Sequence, residues 1–512
     1  MSQIIVINFG SQVAHLINRR IRDIGVFSDM VPYNITAGKI KKLNPRGIIL
    51  SGGPSSVYGK NVPKIDNKIF DLGVPILGIC YGMQLIGKKY GRVLAGKLKE
   101  YGKKQINVKK SGKLLKGLKK KEQVWMSHGD LVKNLSGFEV LAATDTCPIA
   151  AVEDNKREIY GLQFHPEVVH TPKGSQILKN FVYDICKAKK DWRISNLANG
   201  IVKEIKGQVK DDAVIMGTSG GVDSTVAAVL IHKAIGKKLH CVFIDHGLIR
   251  KNEGKNVMKR YKEKLHFENL YYVDSSKLFL KRLENVSDPE KKRKIIGHTF
   301  IEVFEKKVKE LGKRHGNIKF LGQGTIYPDR IESAQPSKQA SKIKSHHNVT
   351  LPKDMRLKVL EPLKELYKDE VRKLGESINL PKELIYRHPF PGPGLAIRIL
   401  GKITKERIKI LQEADSILMQ ELKKSGYYQK TWQAFAALFP IKAVGVKGDA
   451  RTYEHIISIR AVNSIDAMTA DWSKLPHSLL EKISSRILNE VGGVNRVVYD
   501  ISQKPPATIE YE

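Results

Sequence analysis

Cysteine is scarce in this sequence, with four residues in 512, and no two of them form a CxxC pair. This argues against a disulfide framework and a structural zinc site, which need numerous or closely spaced cysteines. Apolar runs are short as well, and none reaches the roughly 20 residues that a membrane-spanning helix requires. The first residues lack the basic segment and cleavage site of a signal peptide. We therefore expect a cytoplasmic protein without a membrane partner.

Acidic residues are few relative to basic ones: 52 Asp and Glu stand against 89 Lys and Arg, for a net charge of +37. Such an excess is typical of proteins that bind nucleic acids through phosphate contacts. The lysines are nevertheless scattered through every segment, and no RNA- or DNA-binding motif accompanies them. We interpret the charge as a lysine-rich surface that also suits anionic nucleotide substrates. We expect no nucleic-acid partner.

Strand-like and helical patterns alternate along most of the chain, which is typical of parallel sheets covered by helices on both faces. The sequence predicts an α/β protein with two doubly wound parallel-sheet domains and a smaller C-terminal α+β domain. The boundaries are predicted at residues 1–190, 191–387 and 388–512. Strands are predicted at residues 4–8, 47–51, 75–79 and 160–165 in the first domain, and at 213–216, 240–245, 269–274 and 319–322 in the second.

A cysteine lies in the sequence Gly78-Ile-Cys80-Tyr-Gly82, between a predicted strand and a predicted helix. Small residues on both sides of a nucleophile permit the sharp turn of a nucleophile elbow, and a helix N-terminus stabilises negative charge there. A lone cysteine after an apolar strand is also a common core residue. His165 and Glu167 favour the catalytic interpretation, because residues two apart in an extended chain project to one side. The three residues match a nucleophile, a base and an orienting carboxylate.

Together these residues resemble the class I glutamine amidotransferase domain over the first third of the chain. The resemblance implies that Cys80 forms a glutamyl thioester, with His165 as the base and Glu167 as its orienting partner. It implies an oxyanion hole at Gly53 and Tyr81. It also implies a binding site for substrate glutamine, with contacts from Gln84, His128 and Asp130.

A second motif, Ser-Gly-Gly-Val-Asp-Ser at residues 219–224, lies between a predicted strand and a predicted helix. Its glycines let backbone N–H groups approach an anion, and the helix N-terminus adds positive potential. It is not a Walker A loop, because the GK[ST] ending is missing. The segment resembles the PP-loop of the ATP pyrophosphatases, and Asp223 is predicted either to cap the helix or to hold Mg²⁺. The predicted ATP-binding residues are Ser219, Gly220, Gly221, Val222, Asp223, Ser224 and Thr225.

Four further residues are predicted to contact nucleotide or substrate. Asp245 ends the second strand of this domain and Arg250 follows it, at the edge where open α/β sheets bind ligands. Gln323 follows a later strand. Lys344 belongs to a polar segment interpreted as a lid, which has Thr350 where the family usually has two glycines. That loss should restrict motion of the segment.

The last stretch resembles the dimerisation domain of the GMP synthetase family in three segments, at residues 387–395, 444–451 and 504–512. The resemblance implies a homodimer and a xanthosine monophosphate (XMP) acceptor. Arg451 and Lys504 are implied contacts to its phosphate, and Glu510 is implied to lie near its purine or ribose. The implied domains are a class I glutamine amidotransferase, an ATP pyrophosphatase and a dimerisation domain.

The combined resemblance implies glutamine-dependent GMP synthesis with Mg²⁺ and ATP. XMP, ATP, glutamine and water would give GMP, AMP, pyrophosphate and glutamate through adenyl-XMP and channelled ammonia. One alternative is a PP-loop enzyme that aminates or thiolates a tRNA base, which would need an RNA-binding module or a further catalytic cysteine. Another is a non-catalytic nucleic-acid-binding protein with a relic amidotransferase fold, and Cys80, His165 and Glu167 argue against it.

Overall fold

A computed structural model describes residues 3–11, 13–59, 62–334, 357–464 and 469–512. The chain divides into two compact units, Met1–Arg193 and Ile194–Glu512. Within the described ranges, no helix has both the length and the apolar character to cross a membrane. Lys344 and Thr350 lie outside the described residues. A separate domain boundary at residue 387 stays a prediction.

The first unit contains one sheet, whose strands in the described residues run in the order β2-β1-β3-β4-β9-β8-β7-β5-β6. The strands are β1 Ile4–Asn8, β2 Ser28–Pro32, β3 Gly47–Leu50, β4 Ile76–Ile79, β5 Gly91–Val108, β6 Lys121–Leu135, β7 Glu139–Ala143, β8 Ala151–Asp154 and β9 Ile159–Leu162. The helices are α1 Ala14–Asp23, α2 Ala37–Leu43, α3 Tyr81–Tyr90 and α4 Gly174–Lys179. A π-helical turn, Asn180–Ile185, continues α4.

Neighbouring strands in the part of the sheet ordered β2-β1-β3-β4-β9 pair in parallel. Neighbouring strands in the remaining part, ordered β9-β8-β7-β5-β6, pair antiparallel. Buried apolar residues fill β1, and they alternate between two cores: Ile4 and Val6 pack on one face, Ile5 and Ile7 on the other. This two-sided burial is typical of a parallel strand between helices. The alternation of strands and helices in the sequence did not predict the antiparallel extension. In the described residues, no helix lies between successive strands from β5 to β9 along the chain, so these strands meet through direct connections.

The second unit begins with a parallel sheet of order β12-β11-β10-β13-β14 in the described residues. Its strands are β10 Ala213–Gly217, β11 Leu239–Asp245, β12 Asn269–Asp274, β13 Ile318–Gly322 and β14 Lys358–Leu360. Its helices are α5 Ile194–Val209, α6 Val222–Ile235, α7 Glu253–Glu263, α8 Ser276–Arg282, α9 Pro289–His315, α10 Tyr327–Ala334, α11 Lys368–Ser377 and α12 Lys382–Ile385. The strand order changes direction at β10, where such sheets bind ligands.

The rest of this unit is a second sheet with helices on it. The strands are β15 Gln433–Lys447, β16 Ala450–Asn463, β17 Asp471–Trp472 and β18 Val494–Asp500, and the helices are α13 Lys405–Lys424, α14 Tyr427–Lys430 and α15 His477–Glu490. β15 and β16 form a long antiparallel hairpin, and β18 pairs with β16 in parallel. One apolar core includes Ile215 of β10 and Leu418 of α13. This shared core explains why residues 194–512 form one compact unit.

Candidate active sites

Cys80 occupies a sharp turn between β4 and α3, as the glycine pattern predicted. Its backbone has φ 53° and ψ −104°, and the residue is 4% exposed. A Cβ atom on Gly82 would lie 2.3 Å from the carbonyl oxygen of Leu50, and one on Gly78 would lie 2.6 Å from the carbonyl of Gly82. Both glycines are therefore required by close backbone packing. A strained backbone at a potential nucleophile is a common feature of active sites.

His165 and Glu167 follow β9, which pairs with β4 so that Leu162 is opposite Ile79. Nδ1 of His165 is 2.7 Å from Oε1 of Glu167. Burial disfavours the imidazolium, but Glu167 and Cys80 outweigh this effect and hold the pKa of His165 well above its usual value. The structure thus brings the three predicted residues together in the arrangement that a nucleophile, a base and an orienting carboxylate would need.

The loop after β3 lies against this group. Gly52 is so close that a Cβ on it would lie 3.0 Å from Cε1 of His165 and 3.6 Å from Cβ of Cys80. A Cβ on Gly53 would lie 3.3 Å from Cγ of Tyr81. The carbonyl of Ser51 accepts a hydrogen bond of 3.1 Å from the N–H of Gly82. The segments that carry Gly53 and Tyr81 are therefore adjacent, as an oxyanion hole requires.

The predicted glutamine-binding residues converge on one carbonyl group. Nε2 of Gln84 donates a hydrogen bond of 3.0 Å to the carbonyl of Asp130, and Nδ1 of His128 is 3.1 Å from the same oxygen. The Cys80 thiol lies 3.5 Å from the carbonyl of Ser127, in the same segment of β6. Among the described residues, Oδ2 of Asp130 is buried and has no hydrogen-bond partner. It is available to accept a hydrogen bond from a ligand.

The second candidate site is the loop between β10 and α6. The Ser219 hydroxyl is 3.1 Å from that of Ser224 and accepts a hydrogen bond of 3.3 Å from the N–H of Gly221. The carbonyl of Gly221 accepts hydrogen bonds from the hydroxyls of Ser224 (3.1 Å) and Thr225 (2.8 Å). Gly220 has φ 72°, which glycine adopts readily. The loop precedes the first turn of α6, where backbone N–H groups bind anions.

Two basic residues that the sequence analysis missed contact this loop. Nζ of Lys368, the first residue of α11, is 3.0 Å from Oδ2 of Asp223. Arg387 donates a hydrogen bond of 2.8 Å to the carbonyl of Gly220. Both are more than 140 residues from the loop in the chain. No sequence signal marked Lys368, and Arg387 was marked only as the start of the segment 387–395, without a contact to the loop. In the part of the chain that the structure describes, Oδ1 of Asp223 is buried without a hydrogen-bond partner, which suits a divalent cation.

The other nucleotide-site candidates lie in the same unit. A Cβ on Gly324, the neighbour of Gln323, would lie 3.0 Å from the backbone nitrogen of Ser224, so the segment after β13 adjoins the loop. Asp245 accepts hydrogen bonds from the N–H of Gly247 (2.8 Å) and from the Tyr272 hydroxyl. Nε of Arg250 is 3.0 Å from Asp415.

The three candidate XMP contacts have different surroundings. Glu510 forms a two-point ion pair with buried Arg398, at 2.8 and 2.9 Å. Arg451 is exposed on the β15–β16 hairpin. The backbone of Lys504 pairs with Ala470. The ion pair with Arg398 gives the Glu510 carboxylate a fixed position.

Three known protein families match successive parts of the chain. The class-I glutamine amidotransferase family matches residues 5–185, and NAD synthase matches residues 193–273. The GMP synthase C-terminal domain matches residues 420–511. These ranges contain the cysteine site, the glycine-rich loop and the hairpin sheet, respectively.

Full-length relatives also match. The GMP synthase (glutamine-hydrolyzing) of Carboxydothermus hydrogenoformans is 55% identical over 100% of both chains. The enzyme of the same name from Brachyspira hyodysenteriae is 52% identical over 100% of this chain and 99% of that one. A solved structure from Thermoplasma acidophilum, whose name assigns it to GMP synthase, is 32% identical. It covers 36% of this chain and 94% of that one, with a TM-score of 0.32.

Proposed function

The chain belongs to the glutamine-hydrolyzing GMP synthase family, and we propose that the residues of the candidate sites described above carry out glutamine-dependent GMP synthesis. XMP, ATP and glutamine are the substrates, and ammonia is the shared intermediate. The observation that carries the proposal is the pairing of Cys80 with His165 and Glu167, in a chain that also holds a loop suited to pyrophosphate.

In the first unit, Cys80 attacks the amide carbon of glutamine. The backbone N–H groups of Gly53 and Tyr81 stabilise the oxyanion, and His165 transfers the proton that the departing ammonia requires. Glu167 keeps the imidazole oriented, because its carboxylate is 2.7 Å from Nδ1. Water then hydrolyses the thioester and releases glutamate. Gln84, His128 and Asp130 bind the substrate. Oδ2 of Asp130, which has no hydrogen-bond partner among the described residues, fits the α-ammonium group of glutamine.

In the second unit, the loop at residues 219–225 binds the pyrophosphate part of ATP through backbone N–H groups and hydroxyls. The 2-oxygen of XMP attacks the α-phosphorus, pyrophosphate leaves, and ammonia then displaces AMP from adenyl-XMP. ATP is required because it converts a poor oxygen leaving group into AMP. Lys368 adds positive charge beside the loop. Asp245, Arg250 and Gln323 line the nucleotide site, and Arg451, Lys504 and Glu510 serve the acceptor nucleotide.

We further propose that Asp223 holds Mg²⁺, because one of its oxygens is buried without a hydrogen-bond partner in the described residues. When bound, the ion neutralises charge on the phosphate oxygens.

A homodimer through the β15–β16 hairpin is also proposed. Four apolar residues of this hairpin are exposed by 49–73%: Ile441, Val444, Val446 and Tyr453. Clustered exposed apolar residues are typical of protein interfaces. We also propose that the protein is cytoplasmic and that it has three domains, at residues 1–190, 191–387 and 388–512.

The decisive test supplies the purified protein with XMP, ATP, Mg²⁺ and glutamine and follows GMP and AMP by chromatography. Both products are expected in equal amounts. Cys80→Ala is expected to abolish glutamine-dependent synthesis and to retain synthesis with added ammonia. AMP release without GMP, or loss of both activities in Cys80→Ala, would contradict the proposal.

A further inference from the structure

Glu100, on β5, is a buried carboxylate to which the proposed mechanism gives no role. It is 1% exposed. Its Oε2 is 3.0 Å from Nε2 of His128. Its Oε1 accepts hydrogen bonds from the hydroxyls of Thr144, at 2.7 Å, and Thr146. Burial of a carboxylate is costly unless such partners satisfy it, so the fold maintains this arrangement against a substantial penalty.

His128 connects Glu100 to the glutamine side of the cysteine site. A carbonyl oxygen only accepts hydrogen bonds, so Nδ1 of His128 must carry a hydrogen to bind the Asp130 carbonyl at 3.1 Å. The Glu100 carboxylate and the Asp130 carbonyl are both acceptors, so both contacts are satisfied when each nitrogen of the His128 ring carries a hydrogen. Burial lowers the pKa of His128, and Glu100 opposes this shift.

The Asp130 carbonyl also accepts the hydrogen bond of Gln84, at 3.0 Å. Gln84 lies one helical turn beyond the nucleophile, since its N–H donates to the carbonyl of Cys80 at 3.1 Å. A chain of hydrogen bonds therefore runs from Glu100 through His128 and Asp130 to Gln84. Its last three members belong to the proposed glutamine-binding set.

The same cluster contains Cys147, and the ligand atoms of Glu100, His128 and Cys147 lie within 4.8 Å of one another. Burial raises the pKa of Cys147 to about 12, and its thiol donates a hydrogen bond to the carbonyl of Ile149 at 3.3 Å. Both oxygens of Glu100 and the Cys147 thiol already have protein partners in the described residues. The cluster is a hydrogen-bond network.

We propose that Glu100 is a positioning residue for glutamine hydrolysis, which fixes the Asp130 carbonyl through His128 and thereby the side chain of Gln84. The inference rests on the proposed function, because it assumes that Gln84 and Asp130 contact glutamine. The network shapes the binding site and does not touch the reacting atoms. Its loss should weaken the binding of substrate and transition state alike, which raises KM and leaves kcat nearly unchanged.

The test uses the full chain and compares Glu100→Ala with Glu100→Gln. Glu100→Ala is expected to raise KM for glutamine about tenfold, the effect of about 1.4 kcal/mol of lost interaction. Glutamine at position 100 still accepts from the threonines, and its amide donates to Nε2 of His128, which keeps the hydrogen on Nδ1. Glu100→Gln is therefore expected to keep KM within about twofold of the wild-type value.

The matched control is Glu153→Ala. Glu153 is another buried carboxylate of this sheet, and it accepts hydrogen bonds from the N–H groups of Lys113 and Leu114. Its loss is expected to lower thermal stability without raising KM for glutamine. Ammonia-dependent GMP synthesis is expected to be unchanged in all three variants.

An equal rise of KM in Glu100→Ala and Glu153→Ala would overturn the inference, and so would an unchanged KM in Glu100→Ala. If Glu100→Ala does not fold, Thr144→Val replaces it, and an unchanged KM there has the same meaning. Absence of glutaminase activity in the wild-type protein would instead reject the proposed function.

Discussion

Arg387 donates a hydrogen bond of 2.8 Å from Nη1 to the carbonyl oxygen of Gly220. Its Nη2 is 2.8 Å from the carboxylate of Glu253, and the side chain is 9% exposed. Gly220 has φ 72°, and a Cβ on it would lie 2.9 Å from Nη1 of Arg387. The guanidinium therefore helps to hold the glycine-rich loop in the conformation that presents its N–H groups.

Replacement of this arginine should weaken ATP binding. We expect Arg387→Met to raise KM for ATP about tenfold, because the loop loses a charge-assisted hydrogen bond worth about 1.5–3 kcal/mol. Initial rates against ATP concentration, with ammonia as nitrogen donor, measure the effect. The control is Arg282→Met, which removes an exposed ion pair with Glu302 in the same unit. Equal KM values in the two variants would contradict this role.

Asp223 should determine the requirement for Mg²⁺. We expect Asp223→Asn to shift the Mg²⁺ dependence of GMP synthesis to at least about tenfold higher concentration, because an amide is a weaker ligand than a carboxylate. The rate is measured against Mg²⁺ at fixed ATP, and glutaminase activity should be unchanged. Asp211→Asn, at an exposed residue, is the control. An unaltered Mg²⁺ curve in Asp223→Asn would contradict this role and would leave the ion pair with Lys368 as the function of Asp223.

Glu167 should set the alkaline limit of glutamine hydrolysis. The carboxylate keeps the pKa of His165 raised against the opposing effect of burial, so Glu167→Gln should lower that pKa. We expect kcat to fall about 100-fold or more, since orientation of the base is lost. The alkaline limb of the kcat/KM profile should move to lower pH, as measured by glutamate release. A limb that stays in place would indicate that another group titrates there.

The same pair predicts a pH dependence of stability. Because the folded-state pKa of His165 is raised, its stabilising contribution is full below the unfolded value of about 6.5 and is lost as pH rises through the folded value. Thermal scans of Glu167→Gln and wild type should therefore differ most at low pH and converge at high pH. Divergence with rising pH would contradict this sign.

Gly82 should tolerate no side chain. In Gly82→Ala the new Cβ would lie 2.3 Å from the carbonyl oxygen of Leu50, so we expect a loss of about 1–3 kcal/mol in unfolding free energy. Differential scanning calorimetry and glutaminase assays measure the change. Gly38→Ala is the control, since no atom of the described residues lies within 4 Å of its Cβ position in α2. Similar behaviour of the two variants would argue against the packing explanation.

A charge on the exposed hairpin should dissociate the proposed dimer. Val446 is 73% exposed on β15, and Val169 is 63% exposed in the first unit. We expect Val446→Asp to sediment as a monomer at concentrations where wild type and Val169→Asp sediment as dimers. A wild-type protein that is itself monomeric would refute the dimer, and a dimeric Val446→Asp would place the interface elsewhere.

Local features of both sites were predictable from the sequence. The turn at Cys80 and the loop at residues 219–224 depend on glycines within a few positions of the functional residue, and the strand at 269–274 was predicted with its observed bounds. The spacing of His165 and Glu167, two residues apart, predicted their contact. In each case the structural cause lies within one short segment.

Contacts between distant segments were not predictable from one sequence. Lys368 and Arg387 reach the loop from 145 and 167 residues away, and Glu100 meets His128 only because β5 and β6 pair antiparallel. Glu510 was interpreted as a contact to XMP from resemblance alone, and its ion pair with Arg398 was not foreseen. Such partners are chosen by tertiary packing, which leaves no local pattern.

The number of residues between two hydrogen-bonded partners affects when their contact can form during synthesis. Gln3 and Lys189 bind each other through two hydrogen bonds of 2.7 and 2.8 Å, so the first unit has its closing contact once residue 189 has left the ribosome. Lys292 is fully buried and pairs with Glu512, 220 residues later. At about 5–20 residues per second, the nascent second unit waits about 10–40 s for that partner. Chaperones should therefore act mainly on the second unit.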